Sequence, residues 1–235
     1  MSVIFAVVSC KKQTDTVIPQ DQDYKLTLPL NDQPKSQVIF KNIVILGNSI
    51  TIAPITPAVG WNTLCGMAAS TPDSDYVHRL TVRFKQMEPN SKVTVRIFND
   101  FESAYINYDF NKSLKDIKEI NPDLVIVRVG ENVDHAHMDA EAFRKSYQKL
   151  VQYFTADGSK TVVLSVGPLW SVPAIDKVYK LYTPYVSLSA VSYDRSNLAY
   201  GLFSDIGVQQ HPCNKGMRVI SNLIWNEVVK INPYR

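Results

Sequence analysis

Runs rich in apolar, largely β-branched residues recur along the chain, and apolar positions at helical spacing fill the gaps between them. The runs lie at 38–46, at 92–98, at 124–129, at 161–166 and, more weakly, from Leu198 to Phe203. Segments with apolar residues three and four apart occur at about 74–88, 112–120, 139–155, 172–191 and 215–230. Asn121-Pro122-Asp123 and Asp157-Gly158 punctuate the change from helical to extended pattern. Strands that are apolar throughout and joined by helical crossovers predict an α/β fold with a mainly parallel sheet of about five strands, covered on both faces. No internal repeat or second domain is visible, and the folded body is expected to span 37–235. In such a sheet ligands bind outside the carboxyl ends of the strands, so chemistry is to be sought in the segments that follow them.

The first 36 residues do not share this pattern. Met1 to Ser9 is almost wholly apolar and leads through Val7-Val8-Ser9 into Cys10, followed by Lys11-Lys12. That succession resembles a bacterial lipobox, in which the cysteine is lipidated. It is shorter than a secretory signal and has no basic residue ahead of the apolar run, so 1–10 reads as a truncated lipoprotein signal, with a short buried strand as the alternative. Residues 11–36 are rich in Lys, Gln, Asp, Thr and Pro without a period and read as a polar tether. A lipid anchor at Cys10 would be the sole membrane connection and would place the protein at the bacterial cell envelope, in the periplasm or at the surface.

Charge narrows the functional classes. With 25 Lys and Arg against 22 Asp and Glu in 235 residues, the net charge is +3, and the basic residues are interspersed with acids. No basic stripe of the kind that tracks nucleic acid stands out. Apart from Cys10, Cys65 and Cys213 stand far apart without metal-ligand spacing and read as separate thiols, although a disulfide stays open. His135 and His137, flanked by Asp134 and Asp139, invite a metal; a short His-x-His without further spaced ligands favours solvated loop residues instead. Tyr179, Tyr182 and Tyr185 read as helix packing. No metal or cofactor is expected.

Three short motifs follow the apolar runs: Gly47-Asn48-Ser49 after the first, Gly130-Glu131-Asn132 after the third, and His211-Pro212 shortly before the final helical segment. A serine after a strand is by itself most often a helix cap, and a lone histidine or asparagine is unremarkable. Together, on one edge of a parallel sheet, they supply a hydroxyl nucleophile, an imidazole of suitable basicity to take its proton, and a carboxamide donor.

In that combination the chain resembles the SGNH, or GDSL-type, hydrolases over about 41–230. The resemblance implies a three-layer α/β/α sandwich of flavodoxin-like topology and ester hydrolysis through an acyl-serine. Ser49 would be the nucleophile, His211 the general base, and Asn132 with the Ser49 backbone N–H the oxyanion hole. The departures are specific. Asn48 stands where the family has Asp in Gly-Asp-Ser, Val133 ends the Gly-x-Asn-Asp block, and Val208 replaces the Asp three residues before the histidine. Asp205 is the nearest upstream acid and the candidate third member; a backbone carbonyl giving a Ser-His dyad, or Glu102 or Glu131 from neighbouring loops, are the alternatives. No glycine follows the second strand, where the family takes a backbone donor; the stretch reads Asn99-Asp100-Phe101-Glu102-Ser103-Ala104. Asn48, Trp61, Asn99, Glu102 and Glu131 are expected to line the pocket. The implied substrate is a small-molecule or glycan ester, with acetylated polysaccharides foremost. A catalytically silent carbohydrate-binding protein and an O-acyltransferase are the alternatives.

Overall fold

The computed structural model describes residues 40–231 except Asp157, so Cys10 and the tether at 11–36 lie outside the described residues. Five strands form one parallel sheet in the order β2-β1-β3-β4-β5: β1 (Asn42–Gly47), β2 (Lys92–Ile97), β3 (Leu124–Arg128), β4 (Val162–Val166) and β5 (Tyr185–Val186). Among the described residues eight α-helices accompany them: α1 (Tyr76–Met87), α2 (Asn99–Ala104), α3 (Phe110–Glu119), α4 (Ala140–Thr155), α5 (Pro173–Tyr182), α6 (Ser189–Tyr193), α7 (Ile206–Gln209) and α8 (Asn214–Lys230).

Alternation along the strands builds three layers, because successive side chains leave opposite faces of a strand. Ile43, Ile45, Leu124, Ile126, Leu164 and Val166 face one side and pack with Leu80 and Phe84 of α1 and Ile220 and Ile224 of α8. Val44, Leu46, Val125, Val127 and Val163 face the other and pack with Leu114 of α3, Phe143 and Tyr147 of α4 and Tyr179 of α5. Burial on both sides explains why Ile43–Leu46 of β1 and Leu124–Val127 of β3 read as unbroken apolar runs. Aspartates start three of the crossover helices: Asp75, Asp109 and Asp139 each accept a backbone N–H from the first turn of α1, α3 and α4.

Two elements differ from the sequence expectation. The helical pattern at 172–191 is divided, with α5 ending at Tyr182 and the two-residue β5 following directly after Pro184, whose ring supplies no N–H to continue the helix. The apolar stretch 198–203 is not a strand: Leu198 makes only an isolated antiparallel bridge to Pro212, and its burial reflects packing in the core beneath α8. Cys65 and Cys213 are separate thiols.

Candidate active site

The strand order reverses direction between β1 and β3, the switch point at which open α/β sheets place their ligand sites. Ser49 follows β1 and Gly130-Glu131-Asn132 follows β3, so the sheet itself delivers both motifs to the same edge. The turn after β1 demands glycine at its start, since a Cβ on Gly47 would lie 1.9 Å from Thr51 Oγ1. Asn48 O accepts the N–H groups of Thr51 and Ile52 at 2.9 and 3.0 Å, closing the turn, while Ser49 O accepts from Met67 N at 2.9 Å. Among the described residues no acceptor takes the Ser49 N–H.

His211 arrives from the other end of the chain. Its own carbonyl accepts from Ala199 N at 2.9 Å and Cys213 N donates to Asn197 O at 2.9 Å, clamping it between the 197–199 segment and the start of α8. Ser49 Oγ and His211 Nε2 are 2.8 Å apart, and His211 Nδ1 is 2.8 Å from Gly207 O. A carbonyl only accepts, so Nδ1 carries the hydrogen and Nε2 presents its lone pair to the Ser49 hydroxyl. Burial is the main influence on this imidazole and lowers its pKa, so its resting form is the neutral base; the Gly207 carbonyl acts in the opposite direction.

The contact expected of Asp205 is thus made by a backbone carbonyl. Asp205 Oδ1 accepts from Val208 N at 2.9 Å as the cap of α7, the four-residue turn that carries Gly207. Its carboxylate shapes the segment that holds His211 and does not itself bond the ring. Val208, in the position where the family has its acid, is buried against Ala68 and Ala199.

Beneath the nucleophile lies a buried polar network centred on Asn48. Its Nδ2 donates to Glu131 Oε2 at 2.6 Å and Glu102 Oε1 at 3.1 Å, while its Oδ1 accepts from Arg128 at 2.6 Å and from Ile50 N at 3.3 Å. Both hydrogens and both lone pairs of the carboxamide are used. Arg128, fully buried at the end of β3, also pairs with Glu131 Oε1, which accepts from Leu169 N at 2.7 Å as well. Glu102, 1 % exposed, reaches from α2 to Asn132, whose Nδ2 donates to Glu102 Oε2 at 2.6 Å. Burial, and secondarily the charge of Glu131, raises the Glu102 pKa.

Other expected pocket residues are placed differently. Trp61 is 3 % exposed and packs on Phe203 with ring centroids 6.2 Å apart, joining the loop after Ser49 to the loop before His211; it is core and not pocket wall. Asn99 opens α2 and is exposed. His135 Nε2 donates to Gly130 O at 2.7 Å, His137 pairs with Asp134, and Asp139 caps α4. Arg128 and Gly207 are absent from the sequence expectations. Arg128 carried a signal, a lone charge in an otherwise apolar buried strand, where it must have partners; Gly207 carried none, because every residue has a carbonyl.

No protein-family model matches the chain, and no curated protein matches it in sequence. Its fold is similar to that of several solved structures. A two-domain esterase active on acetylated mannans superposes with a TM-score of 0.55 at 19 % identity over 83 % of this chain and 50 % of the esterase, so the chain spans half the length of that protein. A protein of Parabacteroides merdae described as a GDSL-like lipase gives 0.54 at 16 % identity, covering 83 % of this chain and 98 % of the other. The salicylyl-acyltransferase SsfX3, from a tetracycline biosynthetic pathway, gives 0.54 at 14 % identity over 87 % and 58 %. The chain has the α/β fold of the SGNH hydrolases.

Proposed function

We propose that this protein is a serine hydrolase of carboxylic esters, and that acetylated glycans are its substrate class. The observation that carries the chemistry is the relay from Ser49 Oγ through the His211 imidazole to Gly207 O, with both hydrogen bonds at 2.8 Å. His211 takes the Ser49 proton as the hydroxyl attacks the ester carbonyl, then gives it to the departing alcohol; water repeats the sequence to release the acid. The oxyanion forms against the Ser49 N–H and the second hydrogen of Asn132 Nδ2. A carbonyl dipole in place of a carboxylate stabilises the imidazolium less; the positive charge of Arg128 lowers the His211 pKa, and the negative charges of Glu131 and Asp205 act in the opposite direction.

The glycan assignment draws on the acetylated-mannan esterase of similar fold and on the lipobox-like Cys10, which favours an envelope location. Among the described residues no helix is long and apolar enough to cross a membrane. The test is hydrolysis of acetylated sugars and aryl acetates by wild type and Ser49→Ala, with labelling of Ser49 by a serine-reactive phosphonate. Wild-type turnover in Ser49→Ala would defeat the mechanism. Since an acyltransferase shares the fold, a competing sugar acceptor in the assay shows whether water or a hydroxyl is the second nucleophile.

A further inference from the structure

The geometry points to Glu102 as the residue that positions Asn132, supplied from the segment after β2 where similar enzymes place a glycine donor. This presupposes the ester chemistry proposed above. Four N–H groups converge on the Glu102 carboxylate. Oε1 accepts from Gly130 N at 2.5 Å, Asn132 N at 3.1 Å and Asn48 Nδ2 at 3.1 Å, and Oε2 accepts from Asn132 Nδ2 at 2.6 Å. Two of these bonds hold the backbone of the loop after β3, where Gly130 sits at φ +133°, a conformation that only glycine adopts readily.

The third bond to this loop selects the orientation of the Asn132 side chain. A carboxamide can turn its oxygen or its nitrogen toward a neighbour, and an acceptor facing it admits only the nitrogen. With one Nδ2 hydrogen on Glu102 Oε2, the remaining hydrogen is left to the substrate, and the carbonyl oxygen, which would repel an oxyanion, is turned away from the donor position. Asn48 ties the same carboxylate to the turn that carries Ser49, so donor and nucleophile are referred to one buried group.

The test is Glu102→Gln, which preserves volume but puts an amide NH₂ where N–H donors converge. One orphaned oxyanion donor costs about 10²–10³ in rate, so kcat is expected to fall about 10²-fold with KM within about twofold. Asn132→Ala is expected to show a similar loss, and the double variant to be no slower than Asn132→Ala alone, because the two residues act as one unit. Multiplying losses, or a wild-type kcat in Glu102→Gln, would overturn the proposal. A second readout does not need turnover. In the ¹⁵N–¹H spectrum, the Asn132 side-chain amide, identified by its loss in Asn132→Ala, is expected to show one hydrogen shifted downfield and slowed in exchange in wild type and returned to ordinary values in Glu102→Gln. An amide unchanged by Glu102→Gln refutes the positioning, whereas an unlabelled, inactive wild type with a shifted amide refutes the ester chemistry alone.

Discussion

Replacing Asn48 by Asp would restore the residue that the resembled family carries, and it is expected to harm this protein. Asn48 Nδ2 donates to Glu131 at 2.6 Å and to Glu102 at 3.1 Å. An aspartate there faces two carboxylates with a third, and gains only a stronger pairing with Arg128 at 2.6 Å. At an effective dielectric of about 20 the two new repulsions are each roughly 5–6 kcal/mol and the gained attraction about 6, leaving a net penalty of about 5 kcal/mol. Proton uptake limits it, because the Glu102 pKa, already raised by burial and by Glu131, rises further when another negative charge approaches. An expected destabilisation of about 3–5 kcal/mol at pH 8 is in the range for breaking a buried pair. The sign with pH follows from linkage. A folded state whose carboxyl pKa lies above the unfolded value binds more protons than the unfolded state, so the variant gains stability as pH falls from 8 toward 5 and loses it on the way back. Urea unfolding of wild type and Asn48→Asp at pH 5 and pH 8 measures both quantities. A variant as stable as wild type at pH 8, with the same pH dependence, would show that Asn48 is not confined by the two glutamates.

Asp205→Asn keeps a side-chain oxygen to cap α7 and is expected to retain kcat within a fewfold, whereas a triad acid would lose about 10⁴; steady-state kinetics on an aryl acetate decides. The acid limb of kcat/KM is expected below the roughly 6.5 of an unperturbed histidine, since burial lowers the His211 pKa and the neutral form is the active base; a limb at or above that value would contradict the buried imidazole. Arg128→Met leaves Glu131 and Asn48 Oδ1 without their buried cation and is expected to cost about 3–5 kcal/mol in denaturant unfolding. A loss under about 1 kcal/mol would mean that the network closes without the guanidinium.

What could be read in the sequence divides along physical lines. Strands buried on both faces are apolar at nearly every position, so β1 and β3, the latter broken only by Arg128, announced themselves; β2 and β4 were recognisable from their β-branched content. β5 has two residues and no period to detect, and the tyrosines on either side of Pro184 extended a helical pattern across it. Leu198 and Ala199 were misleading for a different reason, because burial, of Leu198 in the core with α8 and of Ala199 against Ala68 and Val208, selects apolar residues whether or not they pair in a sheet. At the site, Ser49 and His211 were legible as a hydroxyl and an imidazole expected to meet, and the structure brings them into hydrogen-bond contact. A backbone carbonyl was among the alternatives for the partner of His211, but which one was not legible, since a carbonyl leaves no trace in residue identity. Asp205 drew attention for its charge although its effect passes through the turn that it caps.

The two halves of the site are held by different kinds of contact, and this bears on the order in which the protein becomes competent. Pairing of β1 with β3 is enough to set Ser49 and Asn132 at one edge. His211 depends on the bonds between 197–199 and 211–213 and on α8 lying against α1, none of which belongs to the sheet. A folding intermediate with the sheet closed and α8 undocked would therefore hold a serine with no base to activate it. Competence would require α8 to dock, and loosening α8 would separate His211 from Ser49.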